Sequence, residues 1–482
     1  MATTTKYDII MIGSGQSGTP LAAAFAKAGR KTALIEREHL GGCCINEGCT
    51  PTKTLIASGR VAYLTRRAPD YGVHTTDQKE VMKNDVTIDM VRVRQRRRDM
   101  VDSFRASTER KTKEAGVDIL TGEASFLDTK TLKVKTTKDG CGSERLVEGQ
   151  TIFINTGNRP APPKLNGIET IDKGRVLDST SIQELDTVPG HLVVVGGGYV
   201  GIEFAHLFHR LGAKVTILHR GTQLLPQEDK DITDRLLEIF REDGLTVYLE
   251  ANTTSISPSS PDTFDLAIRF KEGAKTVTGT HILFAAGRIP NTDALNLQAA
   301  GVKTDSKGYI ATNEYLETST PSIYALGDVK GGPAFTHISY DDFRIIRDNL
   351  LTPSGEGRKL STRDRIVPYV VYTDPQVGHV GLHEQEARSK FPDRKILTAT
   401  MPMSYVARAL ETGEPRGVMK AVVDGETGLI LGFTCLATEG GEVMSMVETA
   451  MIGGMPYQKL RDAVWVHPTW AESLNNVWAY LK

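Results

Sequence analysis

The sequence predicts an α/β chain with two βαβ units built on glycine-rich turns, followed by a separate α+β domain. Three observations carry that prediction. An apolar run at Tyr7–Ile12 (YDIIMI) leads into a glycine turn at Gly13–Gly18 (GSGQSG), a helical stretch at Thr19–Gly29, and a second strand at Lys31–Glu36 that ends on a carboxylate. The same order returns as HLVVV (191–195), GGGYVG (196–201), a helix reaching about Gly212, and KVTILHR (214–220). From about Arg365 the texture changes: VPYVVYTD, GVMKAVVD and LILGFTCLA read as strands with intervening helices and no third glycine turn. At 482 residues the chain should hold roughly three domains of about 150 residues each.

Between the two units, ILTGEASF (119–126) and TIFINTG (151–157) read as strands that close the first, and THILFAAGR (280–288) closes the second. TPSIYALGD (320–328) is a further strand ending in Gly-Asp. No low-complexity linker stands out, and LLTPSGEGRKLSTRD (350–364) is the best boundary before the C-terminal domain.

A formal charge of −1 excludes a general polyanion binder. The tract RVRQRRR (Arg92–Arg98), beside Met90, Val91, Val93, Met100, Val101 and Phe104, reads as the solvated face of a long helix rather than a nucleic-acid or phosphate patch. The start, MATTTKYDIIMIG, has neither a basic n-region nor a long apolar h-region, so no secretory signal is read. No stretch approaches about 18 consecutive apolar residues. A cytoplasmic protein with no nucleic-acid or membrane partner is expected.

In GSGQSG, Gly13 permits the tight turn, Gly15 lets the backbone approach a pyrophosphate, and Gly18 allows close helix–strand packing, with the phosphates resting on the helix N-terminus. Glu36, roughly twenty residues on, is placed to accept hydrogen bonds from a ribose. Strand, turn, helix, strand and terminal acid in that order favour a Rossmann-like dinucleotide site over a structural glycine turn. In the second unit Gly196, Gly198 and Gly201 take the same roles, but His219 stands where the acid would be, with Arg220 next. A carboxylate there would repel a 2′-phosphate and a guanidinium attracts one, so NADPH is expected over NADH.

Three of the chain's 5 cysteines, Cys43, Cys44 and Cys49, fall within GGCCINEGCTPTK (41–53), and only Cys141 and Cys435 lie elsewhere. Two dinucleotide sites and a close thiol pair belong together chemically. A flavin can take two electrons as hydride from a nicotinamide and pass them to a disulfide. Zinc coordination by Cys44 and Cys49 is the competing reading. The four-residue gap is at the upper edge of zinc spacings, and no second Cys or His pair completes a tetrahedral site, so no resident metal is expected.

GGCCINEGCTPTK closely resembles GGTCxNxGCxPxK, the active-site signature of the class I pyridine nucleotide-disulfide oxidoreductases. That family includes glutathione reductase, dihydrolipoamide dehydrogenase and mercuric reductase. The resemblance covers essentially the whole chain, through the first glycine fingerprint, GGGYVGIE (196–203), AAGRIPN (285–291), YALGDV (324–329) and HPTWAE (467–472). GCTPTKTL and RALETGEPRGVMKAVV look most like the mercuric-reductase-like members.

The resemblance implies a flavoprotein homodimer that moves electrons between NAD(P)H and a small disulfide or thiol. It implies a discontinuous FAD-binding domain at 1–157 and 288–357, an NAD(P)-binding domain at 158–287, and a C-terminal dimerisation domain at 358–482. Cys44 would be the interchange thiol that attacks substrate, and Cys49 the charge-transfer thiol against the flavin. Lys53 would lie near the flavin and pair with Glu203, while Tyr199 would gate the nicotinamide pocket. FAD would be held by Gly13, Gly15, Gly18, Glu36, Gly42, Cys43, Lys53, the backbone near Ala124, Thr156, Gly157, Arg288, Asp328 and the segment Ala334 to His337. The nicotinamide cofactor would meet Gly196, Gly198, Tyr199, Gly201, His219, Arg220 and Gly287. His467 would act as the relay base, oriented by Glu472, with the pair reaching Cys44 from the other subunit.

The chain also departs from the family pattern. Cys43 replaces the threonine of GGTC, either as a neutral small-residue swap or as a third redox or metal-binding thiol. The C-terminus, LNNVWAYLK, lacks the cysteine pair that delivers Hg(II) in familiar mercuric reductases, and GTPLAAAFAKAG lacks the arginine with which glutathione reductase grips glutathione. Disulfide reduction leads these readings. Hg(II) reduction, dithiol oxidation in the reverse direction and a non-catalytic flavin-binding scaffold are the alternatives, the last opposed by the intact Cys44, Cys49, Lys53, Glu203, His467 and Glu472.

Overall fold

Both faces of the first sheet are buried, which is why its strands read as continuous apolar runs rather than alternating ones. Along β1 (Thr5–Ile12), Ile10 and Ile12 enter one core cluster with Ile35, Phe126 and Ile152. Ile9 and Met11 enter another with Leu21, Phe25, Leu34 and Phe343. The structure is a computed structural model and describes residues 4–74, 86–136, 143–352 and 359–482. Cys141 and residues 353–358 of the expected boundary lie outside the described residues.

The chain divides into two compact units, the first comprising Met1–Thr54, Arg92–Ala161 and Gly287–Arg365. Its elements begin with β1, α1 (Gly18–Lys27), β2 (Thr32–Glu36) and α2 (Gly42–Asn46). There follow α3 (Cys49–Arg67), α4 (Met90–Glu114), β3 (Asp118–Phe126), β4 (Thr131–Thr136) and β5 (Glu144–Ile154). β1 runs parallel to β2 and to β5, and β2 parallel to β3. β5 also pairs with β4 over Glu144–Glu148 and with the strand Ile323–Ala325 over Ile152–Ile154.

The second unit comprises Leu55–Val91, Pro162–Ala286 and Ile366–Lys482. It holds a five-stranded parallel sheet in the order Thr246–Tyr248, Lys214–Leu218, His191–Val195, His281–Phe284, Val176–Leu177. Helix α5 (Tyr199–Arg210) follows its glycine turn, and α6 (Lys230–Glu242) comes later. The unit also carries a three-stranded antiparallel sheet over Asn252–Gly279 and a five-stranded antiparallel sheet built from Tyr369–Val371, Gln376–Gly381, Ile396–Pro402, Val418–Asp424 and Ile430–Ala437. Buried Met401, Met419, Phe433, Met444 and Trp478 form the core of that last sheet, as the change of texture after Arg365 predicts.

The expected elements are present with shifted ends. TIFINTG, THILFAAGR and TPSIYALGD stop being strand at Ile154, Phe284 and Ala325. In each case the chain turns away at a glycine of positive φ, namely Gly157, Gly287 and Gly327. No helix among the described residues is long and apolar enough to cross a membrane.

Within the second unit, the C-terminal half of α3 is held by a buried ion network. Arg210 Cζ lies 3.4 Å from the Tyr63 ring centre, and its Nη1 is 2.7 Å from Asp374. Arg60 pairs with the same carboxylate at 2.6 Å and with buried Glu414 at 3.0 Å. Largely buried pairs of this kind fix geometry more than they add stability, and here they hold Arg60 and Tyr63 of the helix in place.

Candidate functional site

The two glycine turns are built alike, and the likeness is steric. A Cβ on Gly18 would lie 2.3 Å from the Gly13 carbonyl oxygen, and one on Gly201 would lie 2.2 Å from that of Gly196. Only glycine permits this helix-to-turn contact at either place. In the first unit the Gly18 amide donates to Asn155 Oδ1 at 2.9 Å, while Asn155 Nδ2 donates to Leu326 O at 2.8 Å. The N-cap residue Ser17 makes no side-chain bond to α1, so apart from the Gly18 amide held by Asn155 the N-terminal dipole end is available to a phosphate. Glu36, at the end of β2, accepts from the Ser14 hydroxyl at 2.6 Å and the Ser14 amide at 3.1 Å.

The cysteine segment is stitched to that turn. The Gly41 amide donates to Ser14 Oγ at 3.0 Å, and Gln16 Nε2 donates to Gly41 O at 3.2 Å. A Cβ on Gly42 would meet Gly15 Cα at 2.6 Å. Cys44 follows in α2, and Cys49 opens α3, where a helix N-terminus favours thiolate. Cys49 and Thr336 Oγ1 lie 3.3 Å apart. The Cys44 thiol is pushed up, first by its hydrogen bond with Cys49 and then by burial.

Asn46 is the keystone of this segment. Its Nδ2 donates to Leu40 O at 3.1 Å and Gly42 O at 2.9 Å, its Oδ1 accepts from Arg105 Nε at 3.0 Å, and its carbonyl accepts from Arg97 Nη2 at 3.3 Å. Arg96 donates to Thr54 O at 2.8 Å. The expectation of a wholly solvated basic face therefore needs correction. Arg97 is buried, and part of the tract grips the backbone around the cysteines. The visible signal was the Asn of the motif, and the Arg partners were hidden because their acceptors are backbone carbonyls.

Cys43 is exposed, and the Arg288 guanidinium beside it favours its thiolate. Arg288 Nη2 donates to Cys43 Sγ at 3.8 Å, and its Nε donates to Asn158 Oδ1 at 2.6 Å. Thr156 Oγ1 donates to Asn291 O at 2.9 Å, and Gly157 is open where a Cβ would sit. Burial also raises Asp328, with Arg288 and Lys330 opposing. Half-buried Lys53 lies one turn into α3. Ala334 precedes the helix Thr336–Leu351, and exposed His337 stacks on Phe335. Ala124 faces the core from β3 and can offer a ligand only its backbone. The helix end at Ser17–Gly18, the strand-end carboxylate of Glu36 and the adjoining thiol segment are groups that would fit an FAD.

In the second unit Gly198 caps α5 without a side-chain bond, and Tyr199 is the helix's first residue, 39 % exposed. His219 Nδ1 accepts from the Gly197 amide at 3.1 Å, and burial, then Arg220, lowers its pKa. His219 thus closes the turn as a neutral ring, and Arg220 beside it is exposed. Glu203 is buried in α5 and accepts from the Tyr372 amide at 2.8 Å. His467 Nδ1 lies 2.8 Å from Glu472 Oε2. Cys435 is buried in the C-terminal core, apart from these groups.

The family model described as pyridine nucleotide-disulphide oxidoreductase matches residues 7–342, and its dimerisation domain matches residues 367–478. A probable pyridine nucleotide-disulfide oxidoreductase RclA of Escherichia coli (strain K12) is 36% identical over 480 residues, covering 99% of this chain and 100% of the relative. A mercuric reductase of Staphylococcus aureus is 33% identical, covering 97% of this chain and 81% of that one. Among solved structures, the Cu(II) complex of the HOCl-induced flavoprotein disulfide reductase RclA from Escherichia coli superposes with a TM-score of 0.85 at 35% identity, covering 99% of each chain.

Proposed function

The chain belongs to the FAD-dependent pyridine nucleotide-disulphide oxidoreductases, and from that premise we propose that it passes electrons from NADPH to the Cys44/Cys49 pair and on to a small disulfide. The observation that carries this reading is the placement of Cys44 in α2 and Cys49 at the start of α3, on the segment whose Gly41 amide donates to Ser14 of the first glycine turn. Overall, NADPH, a proton and a disulfide RSSR become NADP⁺ and two thiols RSH.

When bound, FAD supplies the two-electron link between nicotinamide and disulfide. Cys44 attacks one sulfur of RSSR and expels the first RSH. Cys49 then attacks Cys44, expels the second RSH and leaves the pair oxidised. His467, oriented by Glu472, takes the proton from Cys44 and delivers it to the leaving thiolate. Lys53 and Glu203 position the flavin edge, Tyr199 gates the nicotinamide, and Arg220 binds a 2′-phosphate. His219 supports this choice, since it supplies the turn's hydrogen bond without the negative charge that would repel that phosphate.

The assigned domains are 1–157 with 288–357 for FAD, 158–287 for NAD(P) and 358–482 for a homodimer interface that brings His467 and Glu472 to the partner's Cys44. The setting is the cytoplasm, where thiols stay reduced. The test is NADPH consumption against a panel of small disulfides. Turnover that Cys44→Ser abolishes supports the reading, and turnover that survives the substitution overturns it.

A second reading, reduction of a thiophilic metal ion, is favoured by the third thiol, Cys43, next to Cys44. Hg(II) and Cu(II) in the same assay, with Cys43→Thr as the control, separate the two.

A further inference from the structure

A cluster in the second unit, remote in sequence from every cysteine of the site, has an unmet need for an electrophile. Tyr369 donates its hydroxyl hydrogen to Glu228 Oε1. Its oxygen then accepts from His383 Nε2 at 3.2 Å, which places the ring hydrogen on Nε2 and a bare lone pair on Nδ1. That Nδ1 and Glu228 Oε2 lie 3.9 Å apart, both buried and both without a hydrogen-bond partner. The Glu386 amide approaches the His383 side chain at the start of its helix, but not with hydrogen-bond geometry. Two buried atoms without a hydrogen-bond partner therefore face one another at a distance too long for a direct hydrogen bond.

His379 completes the group. Its ring stacks on His383 with centroids 3.8 Å apart, and one ligand atom from each of Glu228, His379 and His383 lies within 4.8 Å of the others. His379 Nδ1 meets the Thr434 hydroxyl at 2.8 Å, and its Nε2 meets Gly381 O at 3.1 Å. Because Nε2 must be the donor to a carbonyl, Nδ1 carries the lone pair, and it reaches an ion held on His383 only when the Thr434 hydroxyl turns away and the His379 ring turns out of its stack on His383.

We propose that Glu228, His383 and His379 bind a divalent cation of the zinc(II) class. Bonds of about 2.0–2.2 Å to one oxygen and one nitrogen span 3.9 Å at an open angle, and a shift of about half an ångström brings that angle to tetrahedral. Two imidazoles and one carboxylate select zinc-like ions over calcium or magnesium, which prefer oxygen alone. The surroundings suit a cation, since Asp229 and Glu386 face the site and Lys420 is engaged with Asp229 at 3.1 Å and Glu384 at 2.9 Å. The ion would tie Glu228, two residues before α6, to the segment 379–383, which spans the end of the strand Gln376–Gly381. It needs neither the redox thiols nor the cofactors, so the inference stands apart from the proposed activity.

The experiment titrates tag-free, FAD-loaded protein with Zn(II) in a Cys43→Ser, Cys44→Ser, Cys49→Ser background that silences the site thiols. One Zn(II) per chain is expected, with Kd raised at least tenfold by Glu228→Gln or His383→Gln. Zn(II) should raise Tm by several degrees in the parent and not in these variants. Unsubstituted crystals measured at the zinc edge should show an anomalous peak between Glu228 Oε2 and His383 Nδ1, which removes any dependence on variant folding. A water at that point, or zinc content unchanged by both substitutions, overturns the proposal.

Discussion

His467 Nδ1 stands 2.9 Å from one carboxylate oxygen of Glu472 and 2.8 Å from the other, which commits the ring hydrogen to Nδ1 and leaves a lone pair on Nε2, the atom that the proposed relay uses as its base. The His467 side chain is 64% exposed. Glu472→Gln offers an amide that can donate to Nδ1 and so admits the wrong tautomer. We expect kcat to fall about ten- to a hundredfold, and about 10²- to 10⁴-fold for His467→Ala, with flavin content unchanged. Full activity in Glu472→Gln, measured by NADPH oxidation, would show that the carboxylate does not orient the base.

Asn46 gathers the Gly41–Asn46 turn through its amide, and Arg97 and Arg105 hold it from α4. Replacing a buried, multiply bonded group leaves its partners unsatisfied, at about 1–3 kcal/mol. Asn46→Ala and Arg97→Met should each lower Tm by several degrees and shift the midpoint potential of the Cys44/Cys49 couple. Arg97→Lys should recover part of both. A redox titration in glutathione buffers that returns the parental potential for both variants would reduce Asn46 and Arg97 to packing roles.

If Cys49 is the thiol against the flavin, two-electron reduction should produce a long-wavelength absorbance band. Cys49→Ser should abolish the band and Cys44→Ser should keep it. Equal bands in the two variants would reverse or refute the assignment of the thiols.

Arg220 follows His219, the residue after the strand Lys214–Leu218, whose ring is already spent on the Gly197 amide. A lost charge-assisted phosphate contact is worth about 1.5–3 kcal/mol. Arg220→Ala should therefore raise the KM for NADPH by roughly ten- to a hundredfold and leave that for NADH nearly unchanged. A parent enzyme that prefers NADH would contradict this reading.

The two βαβ units were legible because their constraint is local. Gly13 and Gly18 touch, as do Gly196 and Gly201, and the residues that touch are the residues of the motif. The sheet over Asn252–Gly279 was not named because its first strand, NTTSISPSS, buries only Ile256 and carries no period-two apolar signal. Arg97 was misread for a different reason, since a charge run on a helix looks solvated unless the carbonyls it meets are known. His379 and His383 lie four residues apart on one segment, and only the packing of the loop before α6 against the C-terminal sheet makes Glu228 their neighbour.

The proposed relay would require His467 beside Cys44, although the two lie near opposite ends of the chain. If each site borrows His467 and Glu472 from its partner, a Cys44→Ser homodimer and a His467→Ala homodimer should each be nearly inactive. A heterodimer of the two variants pairs an intact Cys44 with an intact His467 at one of its two sites. At equal mixing, about half the dimers are heterodimers, so activity should recover to about one quarter of the parental value, given statistical exchange in a closed two-fold dimer. The two variants can be dissociated, mixed and reassociated, and the heterodimer verified by differential tags. Verified heterodimers without recovered activity would mean that the dyad does not act across the interface. Recovery is the more telling outcome, because neither variant can regain activity by refolding alone.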